Sequence, residues 1–174
     1  MDRPIGDYFD LIAGTSTGGI IALGFGLGFS AEELSQFYAE LGSQIFSGKR
    51  WRLALRQVRR AKYTQESLRR ALESKFAGKK IGDSKTRLVI PSMNVDTGKV
   101  YIFKTAHHPH LETDYKKEAL EAALATTAAP TFFPAHLADS GVPLIDGGMW
   151  ANNPVGLAVV EAIGILGWSK EDLR

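Results

Sequence analysis

A strand, a glycine-rich turn and a helix follow one another within residues 7–27, which read DYFDLIAGTSTGGIIALGFGL. Residues 7–13 form an apolar run that stops at a glycine, a pattern typical of a short buried strand in a parallel sheet. Residues 14–19 make the turn. Residues 20–27 are predicted to form a helix, and their small side chains let that helix lie close to the sheet.

The turn itself has the pattern Gly14-x-Ser16-x-Gly18, with a further glycine at Gly19. Between a strand and a helix, this pattern is typical of a nucleophile elbow, in which a sharp turn holds the serine in a strained, exposed position. The helix N-terminus supplies oriented N–H groups, that of Thr17 among them, which favour an oxyanion. A phosphate-binding P-loop would require a Gly-Lys-Ser/Thr sequence, and the turn has no lysine. The turn therefore predicts a nucleophilic Ser16.

Predicted strands and helices alternate along the rest of the chain. Helices are expected over 30–48, around 68–76, and over 117–126 and 155–166, and strands over 88–95, 100–104 and 143–146. Ser30 and Glu33 have the spacing of a capping box at the start of the first of these helices, and the strands at 88–95 and 100–104 are expected to form a hairpin. Such alternation favours an α/β fold with a mainly parallel sheet. Pro91 lies inside the strand at 88–95, which is therefore expected at a sheet edge or to be irregular. The length of 174 residues suits one domain.

The composition narrows the classes of function. The chain has no cysteine, which excludes disulfide frameworks, thiol catalysis and cysteine-based metal sites. It has no signal-peptide pattern and no apolar run of about 20 residues, so we expect a cytoplasmic chain. The net charge of +2 does not indicate a nucleic-acid partner. Activity is expected from serine, histidine, carboxylate or backbone chemistry.

A serine nucleophile needs a neighbouring base, and the sequence offers two kinds. The four histidines are His107, His108, His110 and His136. In α/β-hydrolases the chain order is Ser, then Asp or Glu, then His, and a triad of that order would have to use a pair such as Asp96 and His107. The histidine cluster at 107–110 has the composition of a solvated loop.

Asp146 has the more favourable surroundings. It ends a short apolar strand and is followed by Gly147 and Gly148. A side chain at the carboxyl end of a strand lies where open α/β sheets bind ligands. The two glycines permit close backbone approach and positive φ. The alternative reading is an ordinary Asp-Gly turn.

These two motifs, in this order, resemble those of the patatin-like acylhydrolases, and the resemblance covers nearly the whole chain. Residues 14–19, GTSTGG, are similar to that family's elbow. Residues 128–134, AAPTFFP, are similar to the stretch before its aspartate strand. Asp146-Gly147-Gly148, followed by residues 151–154, ANNP, resembles its aspartate motif.

The resemblance implies a three-layer α/β/α patatin-like fold and a Ser–Asp dyad without histidine. Ser16 would be the nucleophile and Asp146 the general base, with Gly147 and Gly148 supporting the dyad and no metal or cofactor. The implied substrates are lipid acyl esters, such as phospholipids or galactolipids. The same motifs also resemble bacterial defence phospholipases that a cyclic nucleotide activates, although no residue here assigns a nucleotide pocket.

One departure from the family concerns the oxyanion hole. The family has a Gly-Gly-Gly-x-Arg/Lys-Gly loop upstream of the elbow, and the 13 residues before Gly14 contain no such loop. We therefore expect residues 1–174 to be one patatin-like domain, truncated at both ends, with weak or no activity. Removing a single oxyanion donor typically slows a serine hydrolase about 100- to 1,000-fold. A bare sheet edge with an aggregation risk is also expected.

Two further segments have alternative readings. Segment 49–62 carries seven cations and no acid, which suits either peripheral contact with anionic lipid headgroups or a solvated surface. Phe132 and Phe133 either line an acyl groove or belong to the core. Two other functions stay open beside the acylhydrolase: a conventional Ser–His–Asp esterase, and a binding module without catalysis.

Overall fold

One long strand organises the sheet. The computed structural model describes residues 4–46 and 57–173. Strand β2 (Arg87–Asn94) pairs along one edge with the antiparallel strand β3 (Val100–Lys104). Its other edge holds two strands in succession. β1 (Leu11–Ala13) runs parallel to residues 87–89, and β5 (Pro143–Asp146) runs antiparallel to residues 92–94. β4 (His136–Leu137) extends the sheet beyond β5.

Six α-helices accompany these strands within the described residues. They are α1 (Thr17–Gly26), α2 (Ala31–Phe46), α3 (Gln57–Phe76), α4 (Ala119–Thr126), α5 (Gly148–Ala151) and α6 (Val155–Val160). α6 continues into a π-helical turn (Glu161–Ile165), and short 3₁₀ turns lie at Ile5–Tyr8, Ile81–Asp83 and Asp114–Lys116. Within residues 4–46 and 57–173, no helix combines the length and apolar content needed to cross a bilayer.

The core lies where α1 and α4 pack against β2, with α2 and α3 packed behind them. Small residues make the close approach of α1 possible. A methyl group on Gly19 would lie 2.7 Å from Cγ2 of Thr126 in α4, and one on Gly24 would lie 2.6 Å from a Leu34 methyl in α2. Every residue of α4 is buried. The expected close packing of the first helix is confirmed.

Several local predictions are confirmed by hydrogen bonds. Ser30 and Glu33 form a reciprocal capping box at the start of α2, with N–H donations of 3.1 Å to the Ser30 hydroxyl and 2.7 Å to the Glu33 carboxylate. β2 and β3 form the expected hairpin, in which Gly98 has a φ of 65°. The first predicted strand is shorter than expected, because residues 5–8 form a 3₁₀ turn and pairing begins only at Leu11.

The α/β class is confirmed, but the sheet is mixed rather than mainly parallel. Among the described strands, only the β1–β2 pair is parallel, and the other three pairs are antiparallel. The alternation of strands and helices does not distinguish these cases, because the direction of β5 is set by how the loop after α4 returns the chain to the sheet.

Pro91 lies in the central strand, so the expectation of an edge strand is wrong, whereas the expected irregularity is real. Within a strand, the N–H and C=O of one residue point to the same side. The Val89 carbonyl accepts the Gly14 N–H on the β1 side, so the Pro91 backbone, two residues on, faces that side too. On that side, residues 87–89 pair with β1 and residues 92–94 pair with β5, and Pro91 lies between the two paired stretches. The missing N–H of proline therefore removes no ladder bond.

The basic segment 49–62 falls largely outside this description. Residues 49–56 are not among the described residues, and only the helical backbone of residues 57–62 is. The prediction of lipid contact through this segment stays a prediction.

Candidate active site

Ser16 occupies the sharp turn between β1 and α1. Its backbone has φ 57° and ψ −126°, a conformation that costs an ordinary residue about 1–3 kcal/mol. Within the described residues, only Ser16 and Thr131 combine positive φ with a side chain. The strained turn expected of a nucleophile elbow is therefore present, with Ser16 half-buried and Thr17 exposed.

The glycines around Ser16 do not share one role. A methyl group on Gly14 would lie 2.1 Å from the Gly18 carbonyl oxygen, and one on Gly19 would lie 2.7 Å from Thr126. A methyl group on Gly18 would meet nothing within 4 Å. The turn therefore requires glycine at positions 14 and 19 for packing reasons, whereas position 18 has room for a side chain.

Asp146 ends β5 and lies against Ser16. The Ser16 hydroxyl donates to Oδ2 of Asp146 at 2.5 Å, at the short end of the range for hydroxyl–carboxylate bonds. The N–H of Gly148 donates to the other carboxylate oxygen, Oδ1, at 2.7 Å. Asp146 is 5% exposed. Both carboxylate oxygens are therefore bonded, and one of them faces the serine.

The meeting of these two residues follows from strand pairing. Ala13 of β1 pairs with Val89, and Asp146 of β5 pairs with Ser92, on the same edge of β2. Because β1 and β5 run towards each other along that edge, their carboxyl ends converge at Pro91. Ser16 is separated from Asp146 by 130 positions in the chain, and the shared edge of β2 brings them together.

Thr126, at the end of α4, fills the gap between the two strand ends. Its hydroxyl donates to the Pro91 carbonyl at 2.7 Å and accepts the N–H of Ser16 at 3.0 Å. Thr126 is fully buried. This one hydroxyl therefore fixes the backbone of Ser16 to the central strand. Sequence reasoning did not single it out, although a Thr126–Thr127 pair ending an alanine-rich helix was a readable signal.

Gly147 is needed because the backbone passes close to the Pro91 carbonyl, and its own backbone conformation is ordinary. Its φ is −61°, so the expected use of positive φ does not occur at this glycine. A methyl group on Gly147 would lie 2.3 Å from the Pro91 carbonyl oxygen. Two side chains tie the following helix down: the Thr15 hydroxyl donates to the Ala151 carbonyl at 2.7 Å, and the Trp150 indole donates to the Ser92 carbonyl at 2.9 Å.

The N-terminus of α1 provides N–H groups beside the serine. α1 begins at Thr17, and the first N–H groups of a helix have no intrahelical acceptor. On the other side of this turn, the Tyr38 hydroxyl donates to the Thr17 carbonyl at 2.7 Å. Burial raises the pKa of Tyr38, so its hydroxyl stays protonated and able to donate. This bond therefore fixes the peptide plane between Thr17 and Gly18, in the first turn of α1.

None of the hydrogen bonds of the histidines leads to Ser16 within the described residues. His107 is bonded at both ring nitrogens, to Glu161 at 2.7 Å and to Thr105 at 2.8 Å. Glu161 also binds Lys104 at 2.6 Å, which joins the end of α6 to β3. Thr105 in turn binds the Leu88 N–H, at the end of β2 remote from Asp146.

The Asp96–His107 pair considered for a triad does not form. Asp96 lies in the turn that precedes β3, and His107 follows the other end of β3, about 17 Å away along a five-residue strand. His108 and His110 contact each other edge to face. Nε2 of His136 is buried without a partner, and burial lowers the pKa of this histidine. In the described part of the chain, no three His, Asp or Glu side chains converge as metal ligands.

Comparison with known proteins identifies the family of this chain. A family model described as patatin-like phospholipase matches residues 2–159. The chain therefore belongs to the patatin-like phospholipase family, and the α/β patatin-like fold expected from the sequence is confirmed.

Bacterial and plant relatives extend this comparison. The chain is 42% identical to a cGAMP-activated phospholipase of Pseudomonas aeruginosa, covering 88% of this chain and 46% of the relative. It is 40% identical to a cGAMP-activated phospholipase of Escherichia coli, covering 92% and 46%. Patatin-like protein 2 of Oryza sativa subsp. indica is 37% identical, covering 88% and 42%. The chain thus spans about half the length of the curated relatives it matches.

Alanine at Gly14 and alanine at Gly18, the glycines two positions before and after Ser16, should change the free energy of unfolding in opposite directions. We expect Gly14→Ala to lower the free energy of unfolding by about 3 kcal/mol or to prevent folding, because the new methyl group meets backbone. We expect Gly18→Ala to raise it by about 0.5–1 kcal/mol, because alanine favours a helix and the space is open. Urea unfolding followed by circular dichroism measures both. Equal effects at the two positions would contradict the steric account.

Thr126 and Thr127 offer a matched pair of buried hydroxyls. Thr126→Val leaves the Ser16 N–H and the Pro91 carbonyl without their partner, at about 1–3 kcal/mol for each unpaired group. The Thr127 hydroxyl donates to the Ala123 carbonyl, which already accepts the Thr127 N–H. We therefore expect Thr126→Val to destabilise the fold by at least about 1 kcal/mol more than Thr127→Val in urea unfolding. Thr126→Ser keeps the hydroxyl and should retain most of the stability, and a loss as large as that of Thr126→Val would contradict the role of the hydroxyl.

Proposed function

We propose that this chain forms the catalytic core of a lipid acyl-ester hydrolase in which Ser16 is the nucleophile and Asp146 the general base. The observation that carries the proposal is the 2.5 Å hydrogen bond from the Ser16 hydroxyl to Asp146, made on a strained strand-to-helix turn. Membership of the patatin-like phospholipase family supports lipid esters as the substrate class.

The proposed reaction has two halves. In the first, Asp146 Oδ2 takes the proton of the Ser16 hydroxyl as Oγ attacks the ester carbonyl, and the alcohol leaves with that proton. In the second, Asp146 takes a proton from water as the water attacks the acyl-serine. The bond between Oγ and the acyl carbon then breaks, Oγ takes that proton back from Asp146, and the fatty acid is released. The Gly148 N–H on Oδ1 keeps the carboxylate oriented throughout.

The tetrahedral intermediate of each half carries a negative oxygen that needs donors. In this proposal the N–H of Thr17 supplies one of them from the start of α1, where the helix dipole also favours negative charge. The chemistry described uses only side chains and backbone of this chain, with no cofactor.

The dyad is tested by labelling the chain with a fluorophosphonate and locating the label by mass spectrometry. We expect the label on Ser16, its loss in Ser16→Ala, and labelling about 100- to 10,000-fold slower in Asp146→Asn, the usual range for a lost general base. Asp139→Asn is the matched control, because Asp139 is an exposed aspartate after β4. Unchanged labelling of Asp146→Asn would contradict the proposed base. A comparable loss in a variant of any single histidine would favour a Ser–His–Asp esterase.

A second proposal concerns regulation. Relatives 40–42% identical to this chain are described as cGAMP-activated phospholipases, which favours activation of this protein by the same type of cyclic dinucleotide. These relatives extend well beyond the part that matches this chain. We therefore propose both the activator and the substrate for this protein by similarity alone.

Activation is tested by measuring phospholipid hydrolysis with and without cGAMP. We expect a rise within about 5- to 150-fold, the usual span of allosteric coupling. An equimolar mixture of AMP and GMP is the control for non-specific nucleotide effects. A rate that cGAMP leaves unchanged, in a chain whose Ser16 still reacts with the fluorophosphonate, would contradict the regulatory proposal and leave the dyad intact.

A further inference from the structure

The parts of the chain that build the serine–aspartate site lack charged residues. Asp, Glu, Lys and Arg make up 23% of the chain, but none occurs in residues 11–31, 122–138 or 147–160. These stretches hold the serine turn, the loop after α4, and α5 with α6. Apart from Asp146 itself, the surroundings of the site are uncharged in sequence, including positions that are exposed.

Two neighbouring phenylalanines in the loop after α4 have different surroundings. Phe133 packs against the hydrophobic core. Phe132 is 70% exposed, the largest exposed fraction among the large apolar residues described. The sequence left open whether both side chains belong to the core, and only one of them does.

This loop is attached directly to the proposed base. The Ala128 carbonyl accepts the N–H of Asp146 at 3.0 Å, and the Ala129 carbonyl accepts the N–H groups of Phe132 and Phe133 at 3.1 and 2.9 Å. Thr131 has a φ of 73°, a genuine outlier for a β-branched residue. A strained turn therefore holds Phe132 outward at a fixed position relative to Asp146.

A second exposed apolar side chain follows Asp146 in the chain. Met149 is 59% exposed and follows Gly148, whose N–H binds the Asp146 carboxylate. Phe132 and Met149 therefore lie on two segments that are each hydrogen-bonded to Asp146.

We propose that Phe132 and Met149 form an apolar lip that inserts into the hydrocarbon region of a lipid surface and holds the serine–aspartate site against it. The proposal rests on lipid-ester hydrolysis as the proposed function and specifies how the site meets aggregated substrate. It commits to a lipid surface as the occupant, since the lip adjoins the site at which lipid esters would react.

Four of the five residues 130–134 have no unpaired N–H group to bury in hydrocarbon. Lipid tails offer no hydrogen-bond partners, so an inserted backbone must satisfy its own polar groups. Pro130 and Pro134 have no N–H, and the N–H groups of Phe132 and Phe133 are already bonded within the loop. A protein partner would instead gain from free polar groups and charges at the rim of its interface.

Insertion is tested with a fluorophore at one position. The chain has no cysteine, so Phe132→Cys in a Ser16→Ala background takes a single environment-sensitive label. Phe9→Cys is the matched control, because Phe9 is 55% exposed and lies at the end of β1 remote from Ser16. With phosphatidylcholine vesicles, we expect a blue shift at position 132 and none at position 9. No shift at 132, or equal shifts at both positions, would overturn the proposal.

A second experiment measures activity as a ratio, the hydrolysis rate on phosphatidylcholine vesicles divided by the rate on a monomeric short-chain ester. We expect Phe132→Glu to lower this ratio and vesicle partitioning about 10- to 100-fold, the loss expected when one aromatic side chain no longer enters hydrocarbon. Phe9→Glu should leave both unchanged, and Phe132→Leu should keep most of each. An equal loss on the monomeric ester would show that Phe132 lines an acyl pocket instead, which overturns the lip.

Varying the salt concentration and the charge of the lipid distinguishes apolar insertion from binding driven by charge. We expect insertion into uncharged vesicles to persist at about 0.5 M salt, because apolar burial is not screened. Binding that requires anionic lipid and disappears in salt would point to the basic segment and overturn the lip. Insertion without hydrolysis would refute the proposed function alone, and hydrolysis of the monomeric ester without insertion would refute the lip alone.

Discussion

The edge of β2 holds β1 and β5 end to end, and the break between them at Pro91 is the constraint on which the site depends. A strand edge normally offers one continuous ladder, and here residues 87–89 and 92–94 bond different partners. The interrupted ladder leaves the Pro91 carbonyl free to accept the Thr126 hydroxyl. Two strand ends converge on that point, each followed by a turn, and each turn carries one half of the serine–aspartate pair.

Tight packing around this break accounts for the small residues of the motifs. The Pro91 carbonyl leaves no room for a side chain at Gly147, and Thr126 leaves none at Gly19. The strained backbone of Ser16 is held by bonds from both sides, one from its N–H to Thr126 and one from its hydroxyl to Asp146. A conformation that costs about 1–3 kcal/mol persists only where the surroundings determine it this completely.

Polarity is distributed unevenly over the molecule. The segments that carry Ser16, Phe132 and Met149 have no charged residues. The end of β2 remote from Asp146 lies near the buried Lys104–Glu161–His107 cluster, which connects the π-helical turn after α6 to β3. Ionic bonding thus stabilises the fold away from the site. The uncharged segments can therefore contact apolar material without burying an unpaired charge, which would be costly.

Local sequence determined the elements that depend on neighbouring residues. The serine turn, the Ser30–Glu33 capping box, the β2–β3 hairpin and the short strand ending at Asp146 were all readable, because turn chemistry and hydrophobic period act over a few residues. Asp146 was also proposed as the partner of Ser16 from its glycine context and a family resemblance. Tertiary structure alone decided the rest: the antiparallel direction of β5, the central place of Pro91, the role of Thr126 and the contrast between Phe132 and Phe133. These depend on which distant segments share the edge of β2, and contacts between residues separated by more than 100 positions leave no periodic signal in one sequence.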